Sequence, residues 1–343
     1  MAGKKGTRKS ERERGILREV LPLDAPLGIN IEPTNLCNLK CRYCYQGDKD
    51  TKLETGFMSM DLFKKIIDDI KGFPRQVKSI SLMLRGEPLL HPQFAEMVAY
   101  AKQSGAAKDI LFFTNAILLS HEMSDKLISA GVDTINVSLQ GISGEDYKRI
   151  AGVNIDFEKL LDNIRYFYEH KTNTELYVKI PYSFHSRETL DEFARIFSPI
   201  CDFYQEEHID DSWQGLAKKN LTPEEYQTIS KRYDALEKYK RKVCPFPFMR
   251  LYINYDGKIM CCQEDYKGET HVIGNANVDN IVEVWNNDKH KKICYAQLTH
   301  QLDEYSLCSK DCFGYKDIHH PGNDPDNIDD LPQEVIDLYA PGK

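Results

Sequence analysis

The chain has 343 residues and a formal net charge of −8, which excludes the strongly basic composition of proteins that bind nucleic acid non-specifically. No apolar stretch approaches the roughly 18 residues of a membrane span, and the first residues lack the apolar core of a signal peptide. Ten cysteines without an export signal argue for metal ligation rather than a disulfide framework. We therefore expect a cytoplasmic protein with metal-bound cysteines and without nucleic-acid or membrane partners.

Residues 1–26 are predicted to form a basic N-terminal arm. Lysine and arginine are frequent from Lys4 to Arg18, and Ser10-Glu-Arg-Glu13 matches the capping box that begins a helix. A solvated terminus accounts for the first ten residues, and a contact with nucleic acid or an acidic partner is the alternative.

From residue 27 to about residue 206 the apolar residues alternate between strand and helix periodicity. Strands are predicted at residues 27–32, 77–84, 109–114, 132–139, 174–181 and 201–206. Helices are predicted at residues 60–71, 92–104, 120–130, 156–170 and 187–198. This alternation predicts an α/β fold with right-handed crossovers and a parallel sheet, and six units are too few to close an eight-unit barrel.

Cys37, Cys41 and Cys44 lie in one short loop directly after the first predicted strand. Three clustered thiolates hold three irons of a cubane cluster, and the next cysteine is as distant as Cys201, so the fourth iron is open to a non-protein ligand. The alternatives are a zinc knuckle, a ferredoxin-like cluster and plain buried cysteines. Zinc sites usually add a distant second ligand pair, and ferredoxin loops bring four cysteines, so the loop fits neither pattern well.

The spacing Cys-x3-Cys-x2-Cys, with Tyr43 before the last cysteine, resembles the radical S-adenosylmethionine (SAM) superfamily over about residues 27 to 316. In that family SAM chelates the open iron, and its reductive cleavage yields a 5′-deoxyadenosyl radical that abstracts hydrogen from the substrate. The resemblance implies a [4Fe-4S] cluster bound with SAM and an external electron donor such as flavodoxin or ferredoxin. It also implies a partial (β/α)6, TIM-like barrel over residues 27–208.

Arg85-Gly86-Glu87-Pro88 follows the second predicted strand and resembles the family's Gly-Gly-Glu-Pro turn, which binds the amino group of SAM. Active sites of parallel α/β folds lie at the C-terminal ends of strands, where this turn falls. Arginine replaces the first glycine here, while Gly86 and Glu87 are retained for backbone approach and for the carboxylate. An ordinary Gly-Pro strand exit is the alternative.

Other expected cofactor contacts also follow predicted strands. Thr114-Asn115 resembles the family's Thr-Asn-Gly, with Ala116 in place of the glycine. Ser138 and Gln140 resemble positions that contact the ribose or carboxylate of SAM, and Tyr43 is expected against its adenine side. Each of these polar residues can equally satisfy backbone groups at a strand end, and Tyr43 can be a core residue.

A second set of cysteines comprises Cys244, Cys261, Cys262, Cys308 and Cys312. The turn Asp256-Gly257 between two β-rich segments predicts a hairpin that returns Cys244 to the vicinity of Cys261 or Cys262. Four thiolates fill a cubane completely, or they hold a structural zinc ion.

The arrangement of these cysteines around Val272-Ile-Gly-Asn275 and Trp285-Asn286 resembles the SPASM/twitch domains of radical SAM enzymes. It implies a small C-terminal iron–sulfur domain at residues 244–320, followed by a tail at 321–343. A full SPASM domain binds two auxiliary clusters and needs more cysteines, so one auxiliary [4Fe-4S] cluster fits better. The family spacing selects Cys262 as a ligand, and the adjacent Cys261 would face the opposite side of the strand. The expected ligands are Cys244, Cys262, Cys308 and Cys312.

A fully ligated cluster suits electron transfer, and two uses of it remain open. It can accept an electron from a substrate radical, giving net oxidation, or it can support a cysteine that returns a hydrogen atom, giving epimerisation. Cys261, Cys201 and Cys294 are the thiols available for the second use, although small buried cysteines are usually inert.

Residues 209–243 are predicted to connect the two domains and to border the mouth of the barrel. His208, Trp213 and nearby carboxylates form an aromatic face with a hydrogen-bonding rim that suits a sugar; a solvated acidic loop is the alternative. The candidates for a base that deprotonates a substrate hydroxyl are Asp210, Asp211 and Asp265.

The segment Ile31-Glu-Pro-Thr-Asn35 and the residues after Cys261-Cys262 resemble enzymes of surface-polysaccharide or amino-sugar biosynthesis, while other similar proteins mature ribosomally made peptides. Peptide maturases often carry an extra N-terminal winged-helix module, and only about 26 residues precede the first strand here. We expect a radical SAM oxidoreductase acting on a carbohydrate-type small molecule, by net oxidation or epimerisation. The alternatives are a peptide maturase and a non-catalytic iron–sulfur electron carrier or scaffold.

Overall fold

A computed structural model of the protein describes residues 3–6, 15–209, 212–236, 241–265, 267–305, 307–308, 312–316 and 324–342. The capping box expected at residues 10–13 and the candidate bases Asp210 and Asp211 lie outside these ranges, as does the side chain of Trp213.

The strands of the described residues form one sheet. They are β1 (Lys4–Lys5), β2 (Gly28–Ile31), β3 (Val77–Ser81), β4 (Ala107–Thr114), β5 (Thr134–Ser138), β6 (Glu175–Pro181), β7 (Phe203–Glu207), β8 (Arg250–Ile253), β9 (Lys258–Met260) and β10 (Val272–Asn275). Their order is β1-β7-β6-β5-β4-β3-β2-β8-β9-β10. Strands β2 to β7 pair in parallel, each with the next, so their C-terminal ends meet at one edge.

Helices connect the parallel strands and continue through the C-terminal part. They are α1 (Met60–Ile70), α2 (Phe94–Ser104), α3 (His121–Ala130), α4 (Gly144–Ala151), α5 (Phe157–His170), α6 (Arg187–Phe197), α7 (Ser212–Asn220), α8 (Pro223–Leu236), α9 (Phe246–Met249), α10 (Ile281–Trp285), α11 (Asp288–Thr299), α12 (Phe313–Lys316) and α13 (Gln333–Asp337). Short 3-10 helices lie at Leu17–Glu19, Tyr45–Gly47, Pro88–Leu90, Tyr182–Phe184 and Ser198–Ile200. None of the helices in the described ranges is long and apolar enough to cross a membrane.

The six strands and five helices predicted between residues 27 and 206 are confirmed, with ends that differ by about three residues or fewer. Amphipathic periodicity locates them, as in α1, where Phe63, Ile66 and Ile70 are buried and Ser59 caps the first turn through Leu62 N–H. Helix α4 was not predicted. It has only eight residues, and its N-cap is the Ser143 side chain, which accepts a hydrogen bond from Asp146 N–H.

The parallel sheet has one apolar face and one polar face, and it curves into the expected open partial barrel. Fully buried apolar side chains such as Ile29, Val137 and Val178 alternate along the strands and face the helices. Phe112 packs edge-on against Phe94 of α2, with ring centroids 4.9 Å apart. We call the opposite side the lumen face; strand register places on it Asn30, Ser81, Phe113, Asn136, Ser138, Lys179, Glu207 and Tyr252.

The segment expected as a separate small domain at residues 244–320 extends the same sheet. Strand β8 pairs in parallel with β2, with Asn30 opposite Tyr252, and β9 and β10 follow as an antiparallel meander. The indole Nε1 of Trp285 donates to the Leu23 carbonyl at 3.1 Å, which ties α10 to the segment before β2. The C-terminal part therefore lies directly beside the first strand of the barrel.

Candidate functional site

The loop with Cys37, Cys41 and Cys44 lies between β2 and α1, at the C-terminal edge of the sheet. Cys44 N–H donates to the Cys41 carbonyl at 3.0 Å, and Leu39 N–H donates to Cys37 Sγ at 3.4 Å. Burial raises the pKa of Cys37 to about 12 and that of Cys44 to about 11, and it raises the pKa of Cys41 as well. Such thiols ionise readily when cationic metal binds them, so the loop fits a cluster held by three thiolates.

Gly86 lies where only a glycine fits. A Cβ atom at this position would stand 2.3 Å from the Thr34 carbonyl oxygen and 2.5 Å from the Leu36 carbonyl oxygen. Glu87 N–H also donates to the Leu36 carbonyl, at 2.7 Å. The turn after β3 is thus packed against the backbone that leads into Cys37, as close backbone approach requires.

The Glu87 carboxylate is buried and accepts three hydrogen bonds. Its oxygens accept from Thr114 Oγ1 at 2.7 Å, Asn115 N–H at 2.8 Å and Leu89 N–H at 3.1 Å. Burial raises its pKa to about 7, although the three donors favour the charged form. Its charge also raises the pKa of Cys37, so the carboxylate lies within electrostatic reach of the cysteine loop. A buried carboxylate within reach of the cysteine loop would suit an ammonium group.

Arg85, which departs from the family's first glycine, has a structural partner. Its guanidinium donates to both carboxylate oxygens of Glu32, from Nε and Nη2, each at 2.8 Å. The side chains of Arg85 and Glu32 are only 4% and 0% exposed. The Arg85 carbonyl accepts from Tyr45 OH at 3.2 Å. The substitution therefore adds a buried contact between the turn, β2 and the cysteine loop.

The other expected cofactor residues gather at the same edge. Tyr43 OH donates to Gln140 Oε1 at 2.7 Å, and its ring stacks on Phe184 with centroids 5.5 Å apart. Asn115 Nδ2 donates to Asn38 Oδ1 at 2.7 Å, inside the cysteine loop. Ser138 lies on the lumen face at the end of β5. Convergence of these residues is as expected; their contacts with SAM stay a prediction.

The connector, which we define as α7 and α8, is fastened to the cysteine loop by ion pairs. Arg42 donates to both oxygens of Glu225, at 3.0 and 2.9 Å. Lys219 Nζ contacts Asp48 at 2.7 Å and Asp50 at 2.6 Å. Ala217 of α7 and Ile229 of α8 belong to a small apolar cluster that packs against Tyr43; its other members are Ile150, Phe184, Ile209 and Leu221. The connector is therefore attached to the cysteine loop, and its place at the barrel mouth stays a prediction.

His208, the candidate sugar-facing residue, is buried at the C-terminal end of β7. Its Nδ1 lies 2.7 Å from Tyr182 OH, which follows β6. Lys179 Nζ donates to Glu207 Oε2 at 2.6 Å and lies 4.9 Å from the centre of the Phe113 ring. These groups line the barrel mouth next to Tyr43, whose pKa is raised by burial first and also by the charge of Glu207.

The second cysteine set converges on one pocket. Cys244, Cys262, Cys308 and Cys312 line it, and Cys261 borders it too. Within the described residues no group of three or more histidine, cysteine, aspartate or glutamate side chains is placed to hold a single metal ion. Four thiols that line one pocket match the four-thiolate ligand set of a cubane cluster.

The neighbours of the adjacent cysteines distinguish their positions. Burial is the largest cause of the raised pKa of both thiols. The next largest causes are the charges of neighbouring cysteines, which are Cys312 and Cys244 for Cys262 but Cys294 and Cys308 for Cys261. Cys262 thus shares its surroundings with two other expected ligands, which supports the family spacing. Cys261 Sγ points to the His271 carbonyl at 3.9 Å. Its role as a hydrogen donor stays a prediction.

Asp265, a candidate base, is occupied by the backbone. Its carboxylate accepts from the N–H groups of Glu269, Thr270 and His271, at 3.0, 2.8 and 2.8 Å. The residue is 2% exposed. A carboxylate bound by three consecutive backbone donors anchors a turn, so the geometry favours a structural role over the predicted one.

The thiol of Cys201 lies away from this edge. The residue precedes β7, at the N-terminal end of the strand, and its Sγ adjoins Gly3. The opposite end of β7 carries Glu207 and His208. Cys201 is therefore not placed to return a hydrogen atom to a substrate at the barrel mouth.

Sequence reasoning missed two residues beside the second cysteine set. His271 Nε2 lies 3.2 Å from Cys308 Sγ, and Gln297 Nε2 donates to the same sulfur at 3.1 Å. Gln297 is buried in α11, and burial lowers the pKa of His271. His271 directly precedes β10 and Gln297 lies inside α11, but neither belongs to a cysteine spacing, so the sequence carries no signal that links them to the cluster.

Two family models match the chain. The model described as the radical SAM superfamily matches residues 31–198, and SPASM, described as an iron–sulfur cluster-binding domain, matches residues 244–313. A relative from Pyrococcus furiosus, the tungsten-containing aldehyde ferredoxin oxidoreductase cofactor-modifying protein, is 26% identical over 337 residues. The alignment spans 88% of this chain and 93% of that relative.

Solved structures share the fold. BtrN in complex with AdoMet and 2-DOIA has a TM-score of 0.51 at 18% identity, over 82% of this chain and 90% of that chain. Streptococcus suis SuiB bound to precursor peptide SuiA has a TM-score of 0.59 at 19% identity, over 79% of this chain and 67% of that chain. The matched domains bring with them a SAM-bound [4Fe-4S] cluster and an auxiliary iron–sulfur cluster. The chain is thus a member of the radical SAM superfamily with a C-terminal SPASM domain.

Proposed function

We propose that this radical SAM enzyme is an oxidoreductase that removes hydrogen from a carbon of a small polar molecule of carbohydrate or amino-sugar type, with net oxidation or epimerisation. The polar lining of the lumen face carries the proposal. Four of the buried atoms that lack a hydrogen-bond partner in the described part of the chain lie on this face: Asn30 Oδ1, Ser81 Oγ, Asn136 Nδ2 and Tyr252 OH. Buried polar atoms are rarely left unpaired, so these atoms point to bound water or to ligand hydroxyls.

The register of the strands sets these groups side by side. Asn30 lies between Ser81 on β3 and Tyr252 on β8, so three neighbouring strands present polar atoms at one level. Closer to the C-terminal edge, Lys179 and Glu207 add a cation and an anion to the same face. Leu111 and Phe113 of β4 lie on the same face between the two polar groups of residues. Hydrogen-bonding groups on β8, β2, β3 and β5, together with this ion pair, suit a hydroxyl-rich ligand better than an apolar one.

The proposal assigns the cofactor to residues that lie beside this lining. Cys37, Cys41 and Cys44 would hold the cluster, and Glu87 would face the amino group of SAM. When bound, the cluster and SAM supply radical chemistry that removes hydrogen from unactivated carbon. Tyr43 and the connector would exclude water from the edge where the cofactor and the lumen meet.

Two similarities support a ligand other than a peptide. BtrN was solved in complex with 2-DOIA, and the Pyrococcus furiosus relative is named for modifying a cofactor. The likeness to SuiB, whose structure holds a precursor peptide, supports peptide maturation as the second candidate. We place the enzyme in the cytoplasm, with flavodoxin or ferredoxin as electron donor.

The first test is SAM cleavage. Anaerobically reconstituted and reduced protein should convert SAM to 5′-deoxyadenosine, measured by liquid chromatography and mass spectrometry. Cys41→Ala should abolish the product, because the cluster loses one of its three ligands. Absence of 5′-deoxyadenosine from protein with full iron and sulfide content contradicts the radical assignment.

The second test separates the two substrate classes. Cells grown on deuterated sugar or on deuterated amino acids provide low-mass and peptide fractions for the assay. We expect deuterium in 5′-deoxyadenosine from the sugar-labelled low-mass fraction. Deuterium transfer from the amino-acid-labelled peptide fraction alone contradicts the proposed substrate class and favours the peptide maturase.

A further inference from the structure

Two side-chain nitrogens converge on the sulfur of Cys308. We infer that His271 and Gln297 are positioning residues of the auxiliary cluster, which orient the Cys308 thiolate and raise the reduction potential of the cluster through N–H···S hydrogen bonds. The inference rests on Cys308 as a ligand of that cluster and is independent of the substrate proposed above. The donor distances to Sγ are 3.2 Å from His271 Nε2 and 3.1 Å from Gln297 Nε2.

The surroundings of His271 determine which ring nitrogen carries the proton. A metal-bound thiolate has no proton to donate, so Nε2 must be the donor in its contact with Cys308. The other nitrogen, Nδ1, then accepts from the Thr270 hydroxyl, which lies 2.7 Å away. This is the usual arrangement around metal sites, in which an outer hydrogen bond selects the histidine tautomer.

The turn that carries Thr270 and His271 is itself fixed. Asp265 accepts from the backbone N–H groups of both residues, each at 2.8 Å. The backbone from which the imidazole reaches Cys308 is therefore held in place by a buried carboxylate.

The orientation of the Gln297 amide is also fixed by its hydrogen bonds. Its Oε1 accepts from Tyr315 OH at 2.8 Å and from Cys244 N–H at 3.3 Å. With both donors on the oxygen, the NH2 group must face Cys308. Gln297 is 1% exposed, so one buried amide binds two expected cluster ligands, Cys308 through its sulfur and Cys244 through its backbone.

Hydrogen bonds to a cluster thiolate stabilise the reduced cluster, which carries more negative charge, more than the oxidised one. Two such bonds at one sulfur should therefore raise the reduction potential and make the cluster a better electron acceptor. That property suits net oxidation of a substrate more than the return of a hydrogen atom.

The test measures the auxiliary cluster alone, in full-length C37A/C41A/C44A protein, by potentiometric titration followed by electron paramagnetic resonance. His271→Phe and Gln297→Leu should each lower the reduction potential, and together they should lower it further. Iron content and circular dichroism confirm that cluster and fold persist. Thr270→Val leaves both donors in place but removes the hydroxyl that selects the tautomer of His271. It should therefore lower the reduction potential less than His271→Phe does. Thr270→Ser keeps a hydroxyl and should have the wild-type potential.

Three results overturn the inference. The first is an unchanged potential in His271→Phe with full iron content. The second is the same reduction potential in Thr270→Val and Thr270→Ser. This comparison tests the inference if the His271 variant fails to retain its cluster. The third is a hyperfine coupling that shows imidazole nitrogen bound directly to iron, which would make His271 a ligand.

Discussion

Glu32 and Arg85 form a buried two-point ion pair that joins the C-terminal ends of β2 and β3, with both N···O distances at 2.8 Å. Glu32 also accepts from Tyr255 N–H at 3.3 Å, just after β8. One carboxylate therefore links the ends of three adjacent strands beneath the Gly86-Glu87 turn. The pair connects the barrel to the SPASM hairpin at the level of the cofactor edge.

Removal of one partner should destabilise the protein strongly. Arg85→Met leaves the Glu32 carboxylate buried without its cation, and an unpaired buried charge costs about 3 kcal/mol or more of unfolding free energy. Arg85→Met/Glu32→Met should lose less than the sum of the single variants, because neither charge is left alone. Thermal and denaturant unfolding of the four proteins measures the coupling.

The matched control is the exposed pair of Lys126 and Glu122 on α3, whose side chains are 56% and 78% exposed. Lys126→Met should change the unfolding free energy by less than about 0.5 kcal/mol. Equal losses at the buried and exposed pairs would contradict the structural role of Arg85.

Gly86→Ala should disturb the first cluster. The new Cβ would stand 2.3 Å from the Thr34 carbonyl oxygen, a distance that only a backbone shift before Cys37 can relieve. We expect less iron at the first site and a fall of at least about tenfold in 5′-deoxyadenosine formation, since positioning errors of this size are costly. Gly15→Ala is the control, because no atom of the described residues lies within 4 Å of its added Cβ. Full activity of Gly86→Ala would show that the turn tolerates the shift.

Glu87 should make stability depend on pH near neutrality. Its folded-state pKa of about 7 lies above the ordinary value of 4.5, so the folded protein binds this proton more tightly than the unfolded chain does. The resulting stabilisation is complete below the unfolded pKa and is lost as pH rises through about 7. Between about pH 6 and about pH 8 the loss is about 1.4 kcal/mol.

Glu87→Gln lacks this titration, so its stability relative to the wild type should rise over the same pH interval. Unfolding of both proteins without SAM, at matched iron content, provides the comparison. A constant difference between the two proteins across the interval would show that Glu87 is already ionised in the folded state.

The affinity for SAM should rise with pH, whereas the stability contribution of Glu87 falls with pH. An ammonium group needs the ionised form of Glu87, so SAM affinity should rise with pH up to about 7 and then level off, by about tenfold per pH unit on the acidic side. Equilibrium dialysis with labelled SAM measures this profile. Glu87→Gln should bind weakly and without the pH step; a step of the same size in that variant would assign the titration to another group.

The connector should loosen when Arg42 is removed. The guanidinium makes two hydrogen bonds to Glu225 in a partly buried setting, so Arg42→Ala should destabilise the contact by about 1 kcal/mol. Hydrogen exchange in α7 and α8 should then accelerate by about fivefold, while exchange in the barrel strands stays unchanged. Lys64→Ala, on the surface of α1, is the control; faster exchange throughout the protein would indicate global rather than local opening.

Local sequence patterns predicted most of the barrel. Helix α3 illustrates why: an amphipathic run after the Ser120 cap ends at Gly131, whose φ of +76° suits glycine. Helix α4 was missed although its buried residues Tyr147, Ile150 and Ala151 have helical spacing; with eight residues it is the shortest α-helix of the barrel. The attachment of β8 to β2 was missed because strand order in a sheet depends on pairings far apart in the chain rather than on any local pattern.

Short-range sequence patterns identified some residues of the site and misjudged others. The spacing of Cys37, Cys41 and Cys44 identified the cluster loop, since three or two intervening residues keep thiols within reach of each other. Arg85 looked like a departure from the family turn until its partner, 53 residues away, was seen. Asp265 looked like a base because sequence shows the carboxylate but not its three backbone donors.

The sequence by itself determined the chemistry that the chain can host, because cysteine spacing and strand-end polar residues act over a few residues and need no knowledge of the rest. Only the tertiary structure decided which groups surround that chemistry. His271 and Gln297 reach Cys308 across 37 and 11 residues, and Asn30 meets Tyr252 across the β2–β8 pairing. Such contacts depend on the order in which strands and helices pack. Local sequence patterns do not predict that order, because it depends on pairings between residues far apart in the chain.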